Sequence, residues 1–300
     1  MNNYGDKMIS VFGFKFKIKN LLLTLIIACA VAIALVLVDM YITDISWYGV
    51  IIGTAFLVAI MLSMQLFKFR NLPDDFAFDL ILWIFPLSII CARAYYVICS
   101  PEEFSTFGEM IAVWNGGLAI YGGIIGGLIG LIICCLIKKK SIISAMDVAA
   151  PCLIIAQAIG RWGNFINQEV YGMEVTNKAM QWFPFAVKIT RGVSESWHLA
   201  TFFYESFLNV GGFFLLVALL RKSKIKGIVS GAYLAFYGMV RYLLEGLRET
   251  EYILNIPGTN IAVSKLVSLV IILVGVAWIS CLLIKNRNNR IDKAKNSENN

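Results

Sequence analysis

The sequence is short of charge and nearly devoid of histidine. Asp, Glu, Lys and Arg make up 15% of its 300 residues, and His198 is the single histidine. A soluble domain of this length carries roughly a quarter charged residues, so an ordinary water-facing surface is excluded. One histidine excludes HExxH and any histidine pair for a metal, and neither a metal nor another cofactor is expected. No Gly-x-Ser-x-Gly elbow supports a hydrolase nucleophile. The run Gly116–Gly130 lacks the Lys-Ser/Thr pair of a phosphate-binding loop, which removes support for nucleotide binding. Cys29, Cys91, Cys99, Cys134, Cys135, Cys152 and Cys281 fall in apolar segments without zinc-site spacing. They read as small buried hydrophobes rather than a disulfide framework.

What is abundant is apolar sequence, 59% of the chain. Long uninterrupted runs exclude the alternation of a membrane barrel. They fit helices of about 20 residues, whose backbone groups are satisfied internally in lipid. About eight spans are expected, near 20–39, 48–67, 77–99, 117–137, 142–161, 199–220, 227–247 and 262–284. The fold class is all-α, a polytopic transmembrane helical bundle. The first run is longer than a signal-peptide core and no small-x-small cleavage site follows, so it reads as an uncleaved anchor. Gly122, Gly126 and Gly130 form small-xxx-small steps that let helices approach closely.

The net charge of +7 points to membrane orientation rather than nucleic acid. Basic clusters precede the first span (Lys15, Lys17, Lys19) and follow the second (Lys68, Arg70), fourth (Lys138, Lys139, Lys140), sixth (Arg221, Lys222, Lys224, Lys226) and eighth (Lys285, Arg287, Arg290). When eight spans alternate, all of these fall on one side, which the positive-inside rule makes cytoplasmic. Residues 1–40 then comprise a cytoplasmic N-terminus and an extra anchor. Residues 41–284 form the bundle, with a small outer-face cap at 162–198, and the basic tail 285–300 is expected to lack regular structure.

Ionisable residues inside spans are costly and are functional candidates. By the loop-charge topology, Tyr48, Arg93, Asn115, Tyr121, Arg161, Asn164, Asn167, Glu169, His198, Glu205, Tyr237, Arg241 and Glu245 all gather near the outer face. Asp79 and Asp147 fall at inner ends, as interfacial anchors. Tyr237, Arg241 and Glu245, spaced i, i+4, i+8, share one helix face. They form either an anion-binding stripe or a packing salt bridge. Arg161 suits bidentate phosphate contact, with Asn164 and Asn167 as neutral donors and Glu169 positioning them. The bland alternative is an interfacial turn from which Arg161 snorkels.

These stretches together resemble the prolipoprotein diacylglyceryl transferase family of bacterial plasma-membrane enzymes. The segment Gly160–Gly172, GRWGNFINQEVYG, is similar to the family signature. Trp47-Tyr48-Gly49, Ala92-Arg93 to Tyr96, Trp114-x-Gly-Gly with Tyr121-Gly-Gly, His198 to Tyr204-Glu205, and Tyr237-Gly-x-x-Arg241-x-x-x-Glu245 follow the family order over 47–284. The resemblance implies transfer of the diacylglyceryl group of phosphatidylglycerol to the lipobox cysteine thiol of a preprolipoprotein, with glycerol phosphate leaving. It implies Arg161 and Arg241 as phosphate binders and Asn164, Asn167, Glu169 and Gly172 as site residues. Tyr48, Tyr237 and Glu245 would line or brace the pocket, and Arg93 and His198 are further candidates for binding the lipid. Many members have histidine at Tyr121 and others at Asn115, so a histidine base at those positions is impossible here. Tyr121 or His198 is left to accept the thiol proton, with Tyr121 preferred. Two rival classes are a transporter or channel, which predicts polar residues continuing to the inner face, and a non-catalytic lipid-binding protein.

Overall fold

A computed structural model describes residues 8–11, 14–17, 47–191, 194–253 and 262–298. The expected first span, 20–39, lies outside them. The chain divides into two compact units, Met1–Val50 and Ile51–Asn300. In the first, strands β1 (Met8–Val11) and β2 (Phe14–Lys17) pair antiparallel, Met8 opposite Lys17. The unit ends in the first residues of helix α1 (Trp47–Leu66).

The second unit is a helical bundle. After α1 come α2 (Phe76–Cys99), the short α3 (Phe107–Ile111), α4 (Ile120–Ile137) and α5 (Ile142–Ile166). Strands β3 (Ala186–Arg191) and β4 (Ser194–Leu199) follow, then α6 (Thr201–Lys222), α7 (Ile228–Glu245) and α8 (Val263–Glu298). Among the described residues six segments are long and apolar enough to cross a membrane: 47–70, 76–99, 120–137, 142–166, 201–222 and 263–292. Helix α7, expected as a span, is not one of them. Its length of 18 residues gives about 27 Å of helix, but Arg241 and Glu245 dilute its hydropathy. It is instead sheltered among α5, α6 and α8. Helix α8 runs to Glu298, through the tail expected to lack regular structure. A span has already borne the nucleation cost, so helix propagates into the polar residues beyond it.

The small-residue steps of α4 face α2. A Cβ on Gly126 would sit 2.8 Å from the Cβ of Cys91, and one on Gly130 would sit 2.7 Å from the Trp83 carbonyl. The close approach expected from the sequence is therefore made, against α2. Helix α5 is the most enclosed span, with half of its apolar window buried against 11% for α2 and α8. Side chains on its inner face are shielded from lipid.

The end of the bundle where the basic clusters lie is tied by Asp147. Its carboxylate is fully buried and accepts from Arg70 Nε at 2.8 Å, from the backbone N–H groups of Gly227 (2.8 Å) and Ser230 (3.0 Å), and from the Ser230 hydroxyl (2.9 Å). Those N–H groups belong to the start of α7, where helix donors are unsatisfied and a negative charge is favoured. Arg70 also donates to the carbonyls of Leu220 and Ser223 at 3.1 Å. One network thus joins the end of α1, the start of α5, the end of α6 and the start of α7, as the expected alternation requires. Asp147 is a buried hub rather than an interfacial anchor. Asp79 does behave as an anchor, pairing with Lys138 at 2.7 Å on the surface. There a favourable pairing with Asp79 raises the Lys138 pKa.

At the opposite end, the described residues of 167–199 form the small cap, whereas 162–166, expected within it, belong to α5. Strands β3 and β4 pair antiparallel, Val187 opposite His198. Tyr171, Val187, Ile189, Ala200 and Phe202 make its apolar core.

Candidate active site

The pocket end is assembled by α5, α6 and α7. Trp162 donates its indole N–H to the Ser206 hydroxyl at 3.1 Å, and that hydroxyl donates to the Ala158 carbonyl at 2.9 Å. Phe165 stacks on Phe202 with centroids 4.6 Å apart. These contacts lock α5 to α6 in the register that sets Arg161 beside Glu205. Arg161 Nη2 lies 2.6 Å from Glu205 Oε1. Arg241 Nη1, from α7, donates to Glu205 Oε2 at 3.2 Å. Its Nη2 donates to Glu245 Oε2 at 3.1 Å, the i, i+4 pairing expected from sequence. Glu205 is 3% exposed, and its two oxygens hold arginines of two different helices.

Arg161 and Asn164 extend the cluster toward the cap. Arg161 Nη1 donates to Asn164 Oδ1 at 3.3 Å, and Asn164 Nδ2 donates to Glu169 Oε1 at 2.8 Å. Glu169 therefore orients Asn164, as expected. Gln168 and Val170 adopt φ of 50° and 55°, in a region rarely occupied by a β-branched residue. Thr201 Oγ1 donates to the Val170 carbonyl at 3.1 Å and holds that backbone. Strain of this kind concentrates at functional sites. Arg161, Asn164, Val170, Thr201, Phe202, Glu205, Leu244 and Arg248 line one pocket.

Arg248 was not foreseen. Its Nε lies 3.6 Å from Glu245 Oε2. Burial, and next the charge of Arg241, push its pKa down to about 10. It remains protonated at neutral pH, so the depression measures how poorly that charge is compensated. Its spacing, i+3 from Glu245 and i+7 from Arg241, was the available signal, although α7 ends at Glu245 and Arg248 follows in a bridge to Gly172. Glu205 was placed near the outer face and in a motif, but without a role of its own. In direct ionic contact, three guanidiniums (Arg161, Arg241, Arg248) face two carboxylates (Glu205, Glu245), leaving one positive charge. A phosphodiester carries one negative charge.

Several of the other expected site residues are engaged in contacts of their own. Arg93 is 7% exposed and donates to four backbone carbonyls: Met110 (2.9 Å), Glu109 (2.7 Å), Gly117 (2.9 Å) and Gly116. It clamps the loop between α2 and α4, and its donors are committed to that task instead of a lipid. His198 is buried within the cap. Its Nδ1 donates to the Gly172 carbonyl at 2.8 Å, and its Nε2 lies 2.9 Å from the Ser196 hydroxyl. Both ring nitrogens are engaged within the cap. Gly172 serves packing: a Cβ there would meet Leu199 Cβ at 2.6 Å and the Leu247 carbonyl at 2.7 Å. Tyr121 opens α4, 58% exposed beside Tyr95. Among the described residues no hydrogen bond or ion pair joins it to the arginines. Asn167 ends α5 with an exposed side chain. Tyr48 lies in the first turn of α1. Tyr237 sits one turn before Arg241, stacked on Tyr233 at 5.8 Å.

Polar groups do not stop at this end, contrary to expectation. Tyr233 accepts from Gln157 at 2.9 Å further along α5 and α7, and Asn209 is fully buried one turn from Glu205. Beyond them lies the Arg70–Asp147 network. Apart from Asn209, these groups are knitted into helix–helix contacts and caps.

The fold and site define a polytopic helical membrane protein with an arginine-lined pocket at one end. The family model described as prolipoprotein diacylglyceryl transferase matches residues 22–281. The chain belongs to that family. It is 38% identical over 250 residues to the phosphatidylglycerol–prolipoprotein diacylglyceryl transferase 1 of Clostridium perfringens, covering 82% of this chain and 94% of that one. The corresponding enzyme of Streptococcus uberis is 39% identical over 238 residues, 78% of this chain and 90% of its own. That of Listeria welshimeri is 38% identical over 246 residues, 81% and 87% respectively.

Proposed function

We propose that this protein transfers the diacylglyceryl group of phosphatidylglycerol to the lipobox cysteine thiol of a preprolipoprotein. The observation that carries the reading is Glu205 holding Arg161 and Arg241 together at 2.6 and 3.2 Å, beside an undercompensated Arg248. Two arginines on one carboxylate present their remaining N–H groups to one headgroup phosphate. Arginine is suited to this because its planar fork matches phosphate oxygens.

The thiolate attacks the glycerol carbon that bears the phosphate. A sulfur–carbon bond forms as the carbon–oxygen bond breaks, and glycerol phosphate departs with the bonding pair. The thiol proton is released to water or to the departing phosphate. Phosphate charge rises from one toward two during this step. Fixed guanidiniums stabilise that increase without reorganising. The cluster's excess positive charge also enlarges the thiolate fraction of a nearby cysteine, whose free pKa is about 8.5. No dedicated histidine base is required.

In this reading the pocket end faces the outer leaflet of the bacterial plasma membrane, since the basic clusters gather at the other end. Phosphatidylglycerol enters sideways, its acyl chains remaining among apolar helices. Residues 20–39 serve as an added anchor, and 41–284 as the catalytic bundle. The test uses purified protein in phosphatidylglycerol nanodiscs with a lipobox peptide. The peptide cysteine gains the diacylglyceryl mass with the native chain, and loses that gain with Arg161→Ala or Arg241→Ala. Full transfer by both variants would overturn the phosphate assignment.

A further inference from the structure

The cap carries an apolar surface that its own core does not use. Between the helical turn Lys178–Met180 and β3, the chain reads Gln181-Trp182-Phe183-Pro184-Phe185. Met180, Trp182, Phe183 and Phe185 are 43%, 53%, 51% and 43% exposed, and all lie outside the spans. Large apolar side chains gathered on one loop mark an interaction surface. The loop is internally held. The Trp182 indole donates to the Ala179 carbonyl at 3.1 Å, Gln181 Nε2 to the Val175 carbonyl at 2.8 Å, and the Ala186 N–H to the Trp182 carbonyl at 2.9 Å. With its one polar atom satisfied inside the loop, the indole shows an apolar face outward.

The loop is also fastened to the first turns of α6. The Tyr204 phenol donates to the Phe185 carbonyl, and the Ala200 N–H reaches the same oxygen at 3.2 Å. Phe183 packs edge-on against Phe203 at 5.0 Å, and Phe203 lies against Phe207 at 6.3 Å. Phe207 is 69% exposed, with Phe214 and Leu215 outward further along the same helix. These residues lie within a span, where outward means toward hydrocarbon. The aromatic loop therefore continues the lipid-facing surface of α6 beyond the helix end.

We propose that Trp182, Phe183 and Phe185 form a foot seated in the headgroup–acyl boundary, and that the occupant of this patch is the lipid surface. Aromatic rings concentrate at that boundary, and one edge of the patch is already a lipid-facing helix. Thr201 and Phe202, which line the arginine pocket, stand at the same helix start. The foot thus fixes the height at which the pocket opens. This inference is independent of the transfer reaction.

The test is depth-dependent fluorescence quenching of the full chain in nanodiscs. The chain has seven tryptophans, so the Trp182 signal is isolated as the difference between the native protein and Trp182→Phe. Phe183→Trp in that background supplies a second reporter should the difference be small. The difference signal is expected to be quenched at least twofold by phospholipids brominated near the headgroup end of the acyl chain, and to resist aqueous iodide. Quenching by iodide with no response to brominated lipid would overturn the proposal. So would protection from iodide that arises only when a peptide bearing an apolar signal segment is added, because the occupant would then be protein.

Discussion

Replacing Glu205 by Gln is the perturbation that probes the cluster most sharply. The substitution keeps size and one carbonyl oxygen but removes the charge that two guanidiniums share. Arg241 retains Glu245 at 3.1 Å, whereas Arg161 is left with Asn164 at 3.3 Å. Glu205 is 3% exposed, so the loss is not screened by water. Breaking a buried pair by removing one partner costs about 3–5 kcal/mol. Retained geometry and the second carboxylate put this case near the lower figure, about 3 kcal/mol. The variant should unfold at clearly lower temperature in neutral detergent. Transfer should fall by about a hundredfold, the scale expected when catalytic groups shift by an ångström. Adding phosphatidylglycerol should raise the melting temperature of Glu205→Gln more than that of the native protein. An anionic headgroup replaces the missing carboxylate and binds only the folded state. Native stability and native transfer in Glu205→Gln would refute the shared-carboxylate geometry.

Three further outcomes are expected. Arg248→Gln should make the ligand-free protein more stable while weakening transfer. A cation whose folded pKa of about 10 lies below its unfolded value carries its full stability penalty below pH 10, and the penalty fades as pH rises from there toward the unfolded value; thermal melts at pH 7 together with the peptide assay check both parts. Asp147→Asn should destabilise the bundle by about 3 kcal/mol or more, since Arg70 and the first N–H groups of α7 lose their buried partner. The fraction still folded should keep its KM for lipid, because that network lies at the other end. Asn209→Leu should leave stability unchanged or raise it, read by melting temperature. Neither end of this buried amide has a hydrogen-bond partner among the described residues, and apolar replacement of an unpaired polar group is favourable.

The bundle was legible in the sequence because lipid demands about 20 apolar residues per crossing, and loop lysines and arginines sort by side. The alternation read from those charges agrees with the Asp147 and Glu205 networks, which join the helix ends it brings together. The signature around Arg161 and the stripe through Arg241 were both readable, one as a motif and one as helical periodicity. Their meeting on Glu205 was not, because it depends on the rotation of three helices about their own axes. The surroundings of Arg93 and His198 were not readable for another reason: each donates to backbone carbonyls, which leave no trace in residue identity. Asp147 looked like an anchor because its burial arises from α1, α6 and α7 closing over it. Helix α7 was expected as a lipid-crossing span. Its neighbours, rather than its own hydropathy, account for its place.

A double-mutant cycle on phosphatidylglycerol binding tests the central claim most directly, using Arg161→Ala, Arg241→Ala and the pair, with thermal stabilisation by the lipid as readout. If both guanidiniums grip one phosphate, each single change removes most of the stabilisation and the pair removes little more. Losses that simply add would place the two arginines at separate sites and contradict the account.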